Sequence, residues 1–179
     1  KHIGILTGGG DCPGLNSVIR AITKTAVLKY GVEVIGFMDG FRGLVENNYV
    51  QLDLRRVSGI GHTGGTILGT SNRDNPFNFM TMIQGELQAT DQSDRAVSNI
   101  KHLDLDGLII IGGDGSLNIA YKFFSEKGIN VVGVPKTIDN DLSATDITFG
   151  FITAVNTASD ALDKLHTTAE SHHRVMILE

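Results

Sequence analysis

Leu108-Ile109-Ile110-Ile111-Gly112-Gly113-Asp114-Gly115-Ser116 sets the class of the molecule. Four apolar residues run directly into Gly-Gly-Asp-Gly-Ser, and Leu117 to Lys127 follows with helical character. An apolar run of this length, ended by glycines, predicts a strand buried on both faces of a parallel sheet. Glycines at its C-terminal end remove the Cβ atoms that would hold a ligand away from the backbone. The helix behind them aims its free N–H groups and the positive end of its dipole at the same place. Asp114 would repel a bare phosphate. Its position makes sense with a divalent cation between the two, a hard ion that prefers oxygen ligands and keeps several waters. The same residues also suit a tight strand-to-helix turn with a capping aspartate.

The flanking sequence repeats this pattern. His2 to Leu6 is a short apolar stretch that breaks at Gly8-Gly9-Gly10-Asp11, after which Leu15, Val18, Ile19, Ile22 and Ala26 recur at helical spacing. Tyr30-Gly31 stops that helix, and Val32 to Met38 supplies the next strand. Asp39 to Asn48 is polar and broken by Gly40 and Gly43, so it reads as a loop, and Val50 to Leu54 as a short strand. Gly59-Ile60-Gly61-His62-Thr63-Gly64 matches GxGxxG. It lacks both the preceding strand and the following amphipathic helix of a dinucleotide fingerprint, and is discounted. Residues 77–90 read as an irregular insertion. Asp94 to Leu103 is helical in pattern, Val131 to Val134 is a buried strand stopped by Pro135, and Thr148 to Leu165 is a longer helix. Strands alternating with helices imply an α/β architecture, a mainly parallel sheet with helices on both faces.

Composition excludes several classes. Of 179 residues 41% are hydrophobic and 20% charged, which is ordinary for a globular protein. Fifteen basic against 20 acidic residues give a net charge of −5, so no electrostatic case exists for nucleic acid. No run approaches the length of a membrane span, and the N-terminus lacks a signal-peptide pattern. The single cysteine, Cys12, rules out an internal disulfide framework and a multi-cysteine zinc site, and a cytoplasmic setting is the default expectation. The chain opens at Lys1 without an initiator methionine and stops in Arg174-Val175-Met176-Ile177-Leu178-Glu179, which reads as a strand. Both features suggest a fragment.

Ligands of open α/β sheets gather beyond the carboxyl ends of the strands. Three such ends carry chemistry-bearing loops: Gly8 to Asp11, Gly112 to Ser116, and Pro135 to Asp141. The first two suit a polyphosphate, and neither is a P-loop, because no GxxxxGK[ST] occurs. Pro135-Lys136-Thr137-Ile138-Asp139-Asn140-Asp141 concentrates a cation, a hydroxyl and two carboxylates. In an extended segment Asp139 and Asp141 would leave the same face. One could then take a proton from an attacking hydroxyl while the other holds a cation or its water shell. A solvated acidic turn would use the same residue types.

Together, Gly8-Gly9-Gly10-Asp11-Cys12-Pro13-Gly14-Leu15-Asn16, Gly112 to Ser116 and Pro135 to Asp141 resemble the motifs of the 6-phosphofructokinases. Gly64-Gly65-Thr66-Ile67-Leu68-Gly69-Thr70-Ser71 and Thr145 to Phe151 fit the same family in the expected order, so the resemblance spans the chain. It implies phosphofructokinase-like, Rossmann-like layers and ATP-dependent phosphorylation of fructose 6-phosphate in glycolysis. By the resemblance Asp139 is the general base for the sugar 1-hydroxyl, and Asp141 and Lys136 complete the catalytic loop. Thr137 contacts the sugar phosphate or the transferred group. Asp114 lies at Mg²⁺, and Gly10, Gly113, Gly115 and Ser116 line the donor site, with Arg73 contacting the donor. Arg174 matches the arginine that reaches the fructose 6-phosphate of a neighbouring subunit, which implies a homo-oligomer, a dimer or tetramer. A first lobe, residues 1–150, would bind the donor, and residues 151–179 would begin an incomplete fructose 6-phosphate lobe. A Met-Gly-Arg motif should begin about two residues after Glu179.

Two positions bear on the donor. Lys136 is the residue of pyrophosphate-using members and of some long ATP-using forms. Gly115 favours ATP, because pyrophosphate users usually carry aspartate there, and a carboxylate would repel the nucleotide α-phosphate. A pyrophosphate-dependent phosphotransferase is the alternative. A non-catalytic regulatory subunit that binds sugar phosphate is a second one, disfavoured by the presence of Asp139 and Asp114.

Overall fold

The computed structural model describes residues 1–143 and 145–178. The chain runs β1 (His2–Thr7), α1 (Leu15–Tyr30), β2 (Glu33–Phe37), α2 (Phe41–Glu46), β3 (Tyr49–Leu52) and a 3₁₀ turn at Ile60–His62. It continues through β4 (Phe79–Ile83), β5 (Glu86–Thr90), α3 (Ser93–His102), β6 (Gly107–Gly112), α4 (Asp114–Lys127), β7 (Val131–Thr137), β8 (Phe149–Gly150) and α5 (Phe151–Ser171). Six strands form one sheet in the order β3-β2-β1-β6-β7-β8, and β4 and β5 form a separate hairpin. Within the large sheet β2 and β3 pair antiparallel, and β1 with β2, β1 with β6, β6 with β7 and β7 with β8 are parallel.

The side-chain alternation of the two central strands divides the core in two. Leu6, Leu108 and Ile110 join Phe37, Phe41, Ala120 and Phe123 on one face. Ile5 and Ile111 join Leu15, Ile19, Ala26 and Leu68 on the other. The expected strand at 108–111 is therefore apolar at every position because both of its faces are covered. Each aliphatic side chain fully withdrawn from water contributes roughly 1.5–3 kcal/mol. Glycine is needed where backbones approach: a Cβ on Gly150 (φ +94°) would stand 2.0 Å from the Cys12 sulfur, fixing the start of α5 against the loop after β1.

Several elements differ from the sequence expectation. Residues 41–46 form α2, held by the buried Phe41, Leu44 and Val45 although its flanks are polar and glycine-rich. Residues 79–90 are a regular hairpin with a two-residue turn, Gln84 at φ +51° and Gly85 at φ +88°. That pair of left-handed residues matches strand twist, but glutamine is not the usual signal for it. Pro135 does not stop β7. It occupies the last pair with β6, opposite Gly112, and Lys136 and Thr137 then pair on β8 instead. A proline at such a handover costs no continuing ladder. The long helix starts at Phe151 and extends to Ser171, and none of its residues is fully buried. Residues 174–178, expected as a strand, pair with no other strand among the described residues; Glu179 lies outside the described residues. Extended chain without a neighbouring edge has no ladder to join. No described helix is long and apolar enough to cross a membrane.

Candidate functional site

The strand order reverses between β1 and β6. The chain winds outward from β1 through β2 to β3, then returns to lay β6 on the other side of β1. Leu15 of α1 and Ala120 of α4 belong to opposite faces of the core, so the helices after these adjacent strands leave on opposite sides. Such a switch point opens a crevice at the carboxyl ends of the strands. A cavity of about 750 Å³ occupies it, lined by the loops after β1, β6 and β7 and by residues 71–75.

The glycine loops are shaped by close approach. A Cβ on Gly8 would lie 2.5 Å from the Ser116 hydroxyl oxygen and one on Gly112 2.7 Å from it, so the buried Ser116 side chain is wedged between both loops. Gly10 and Gly115, by contrast, have open space where a Cβ would be. Among the described residues no side chain caps the start of α4 at Gly113, and its first N–H groups have no carbonyl within the helix to meet. Asp114 stands in that first turn, exposed, and accepts a hydrogen bond of 3.1 Å from Asn118 Nδ2.

The third loop is a turn rather than an extended segment. Asn140 has φ +51°, and its side-chain oxygen accepts from the Thr148 N–H at 2.9 Å. The Thr148 hydroxyl donates to the Thr137 carbonyl at 2.8 Å. Asp139 and Asp141 consequently do not share a face as the extended reading expected. Asp139 lines the large cavity, whereas Asp141 lines a second one of about 360 Å³ that Asp114 also borders. Lys136 is buried, and its ammonium donates to the Gly10 carbonyl. Loss of water around Lys136 pulls its pKa below lysine's ordinary value, with Cys12 and Asp11 opposing the shift. Burial pushes the Cys12 thiol up, and the Lys136 ammonium partly offsets this.

Of the residues singled out from sequence, Gly10, Arg73, Gly113, Asp114, Gly115, Ser116, Lys136, Thr137 and Asp139 all line the large cavity. Arg174 does not; it follows the end of α5, with its N–H donating to the Ala169 carbonyl. Sequence reading passed over Asn118, Lys122 and Phe41, which also border the cavity. Asn118 and Lys122 lie four and eight positions after Asp114, a helical spacing that repeats one face and was available in the sequence. Phe41 carries no such signal, because only the strand order brings it there.

These surfaces fit a polyphosphate with a divalent cation. A side chain at Gly10 or Gly115 would fill the open ground beside the uncapped start of α4, and Asp114 offers one hard oxygen ligand there. Among the described residues no group of three or more His, Cys, Asp or Glu gathers to hold a metal. That donor set suits an ion held by one carboxylate together with substrate phosphates and water.

The family model described as phosphofructokinase matches residues 2–179. ATP-dependent 6-phosphofructokinase 2 of Clostridium perfringens is 62% identical over 180 residues, covering 100% of this chain and 49% of that protein. A pyrophosphate–fructose 6-phosphate 1-phosphotransferase of Streptomyces coelicolor is 51% identical, covering 99% of this chain and 48% of that protein. The structure of phosphofructokinase from Saccharomyces cerevisiae superposes with a TM-score of 0.76 at 28% identity, over 96% of this chain and 25% of that one. The chain spans about half the length of the curated relatives it matches. With the matched family covering all but the first residue, and the sheet order and loops described above, this chain belongs to the phosphofructokinase family.

Proposed function

We propose that this chain is the donor-binding part of an ATP-dependent 6-phosphofructokinase. The reaction moves the γ-phosphoryl group of ATP to the 1-hydroxyl of fructose 6-phosphate, giving fructose 1,6-bisphosphate and ADP in cytoplasmic glycolysis. The observation that carries the reading is the single cavity of about 750 Å³ shared by both glycine loops and Asp139. Its volume lies within the range of small-molecule and cofactor pockets and leaves room for a nucleotide. Asp139 is the base that receives the hydroxyl proton. Thr137 contacts the sugar phosphate or the transferred group, the Lys136 ammonium neutralises charge near the transferred phosphoryl group, and Gly10, Gly113, Gly115, Ser116 and Arg73 surround the donor. Asp114 is the residue that would hold Mg²⁺, whose chemistry is to neutralise charge on the transferring phosphates. Residues 1–150 form the donor lobe and residues 151–179 begin the fructose 6-phosphate lobe. Arg174, outside this cavity, reaches the sugar phosphate of a neighbouring subunit in a homo-oligomer, a dimer or tetramer.

Pyrophosphate is the alternative donor, favoured by one observation, the buried Lys136 ammonium on the cavity wall. A non-catalytic regulatory subunit is disfavoured because Asp139 and Asp114 line the same cavity. The test is kcat/KM of the whole protein for ATP and for pyrophosphate at equal fructose 6-phosphate. A higher value with ATP supports the proposal; a higher value with pyrophosphate replaces it with the alternative.

A further inference from the structure

We infer that Thr70 is a positioning residue for the donor site: it holds the Gly9–Asp11 loop in the shape that presents free N–H groups to an anion. The inference rests on the donor reading above and names a residue which that reading leaves out. Thr70 does not line the cavity. Its hydroxyl donates to the Gly9 carbonyl at 2.6 Å, with the Thr7 carbonyl at 3.2 Å as the weaker second acceptor. The next residue completes the grip, since the Gly9 N–H donates to the Ser71 carbonyl at 3.0 Å. Gly9 is thus held through both of its peptide groups by residues 70 and 71. The Gly10 carbonyl is held in turn by the Lys136 ammonium.

A run of three glycines has little conformational preference of its own and loses much freedom when ordered. Gly9 at φ +82° is in the left-handed region, so its shape must be imposed by outside partners. With the Gly9 and Gly10 carbonyls engaged on the protein side, the N–H groups of Gly10 and Asp11 are left, among the described residues, without an acceptor. Both residues line the cavity. Successive free N–H groups of this kind make an anion-binding concavity. Without the Thr70 hydroxyl the loop samples other shapes, and an incoming donor must order it. Affinity then falls, while the loop in the occupied site, and with it the chemical step, stays the same.

The test uses the whole protein with Thr70→Val, which keeps the shape and removes the hydroxyl, and Thr70→Ser, which keeps the hydroxyl. Thr70→Val should raise KM for the donor about tenfold, the size of one lost hydrogen bond. In that variant kcat and KM for fructose 6-phosphate should stay within about twofold of wild type, as should all constants of Thr70→Ser. A donor KM that Thr70→Val leaves unchanged overturns the inference, and so does a Thr70→Ser variant as impaired as Thr70→Val. If Thr70→Val shows no cooperative melting transition, Thr70→Cys takes its place. The weaker thiol donor should give an intermediate donor KM, and a wild-type value overturns the inference. The donor reading fails separately. A wild type that prefers pyrophosphate overturns ATP as donor, and the Thr70 comparison is then made on KM for pyrophosphate. A wild type with no transfer from either donor overturns the kinase reading, and Thr70 is judged by the calorimetric Kd of MgADP against that of Thr70→Val.

Discussion

Asp139 and Asp141, two residues apart, face different cavities on either side of the Thr137 hydroxyl's hydrogen bonds. That oxygen accepts from the Asp139 N–H at 3.1 Å and donates to the Asp141 carboxylate at 3.3 Å. The left-handed Asn140 between them turns the chain, and its own side chain is tied to Thr148. Two carboxylates of one type in one short loop are thereby separated: Asp139 lines the cavity that the glycine loops also line, and Asp141 braces the turn.

The first prediction follows from that separation. Asp139→Asn keeps the shape but cannot accept a proton, and a positioned general base typically contributes about 10²–10⁴-fold. Turnover of the whole protein should fall by that range while fructose 6-phosphate binding survives in calorimetry. Asp141→Asn keeps an oxygen for Thr137 and should lose clearly less. Equal losses in the two variants would contradict the division of roles.

Gly115 tests the donor. A Cβ there meets open space, so Gly115→Asp should fold, and a carboxylate in the first turn of α4 agrees with the helix dipole. Two unit charges about 4 Å apart near a protein surface repel by roughly 4 kcal/mol. The kcat/KM for ATP should therefore drop more than about tenfold further than that for pyrophosphate, which lacks the nucleotide α-phosphate. Parallel losses with both donors would place Gly115 away from that group.

Lys136 separates stability from activity. Burial lowers its pKa, so between that lowered value and lysine's ordinary 10.5 the unfolded chain binds more protons than the folded one. The contribution of Lys136 to stability accordingly rises with pH through that window and is lowest below it. Lys136→Met removes a buried charge and should abolish this slope, with a melting temperature at neutral pH no lower than wild type. Phosphoryl transfer should nevertheless fall, because the ammonium that neutralises charge near the transferred phosphoryl group is lost from the cavity wall. Denaturant melts of both proteins at several pH values, alongside kinetics, check the two halves.

The surface of α5 predicts how residues 1–179 behave on their own. Ile152, Val155 and Leu162 are exposed, and no residue of the helix is fully buried. A chain of residues 1–179 should lack phosphofructokinase activity and associate in a concentration-dependent way, as sedimentation velocity would show, because contiguous exposed apolar surface seeks cover. Turnover by this chain alone, with either donor, would mean that the sugar site lies within it.

Much of this architecture was legible because local physics and tertiary demand agree. Leu108 to Ile111 reads as a buried strand in any context, and Gly112 to Ser116 can do little but turn tightly into the helix behind. Elements whose stability comes from elsewhere were not legible. Phe41 to Glu46 is a helix because Phe41, Leu44 and Val45 find the core, against the polar and glycine-rich signals of its flanks. The hairpin at 79–90 keeps most of its side chains exposed, so it lacks the apolar alternation by which a strand is recognised.

The sequence by itself determined the alternation of strand and helix, the glycine turns at two strand ends and the residue types gathered in the third loop. These depend on backbone sterics, periodicity and chemistry within a few neighbouring residues. Only the tertiary structure decided that Ser116 is wedged between Gly8 and Gly112, that Lys136 reaches back to Gly10, and that Asp139 and Asp141 part company. Those relations depend on the strand order, which brings β1 and β6 together from opposite ends of the winding, and on one left-handed residue, Asn140, whose conformation is held by Thr148. Side chains distant in sequence meet only once the sheet has formed, and no short-range preference encodes the meeting.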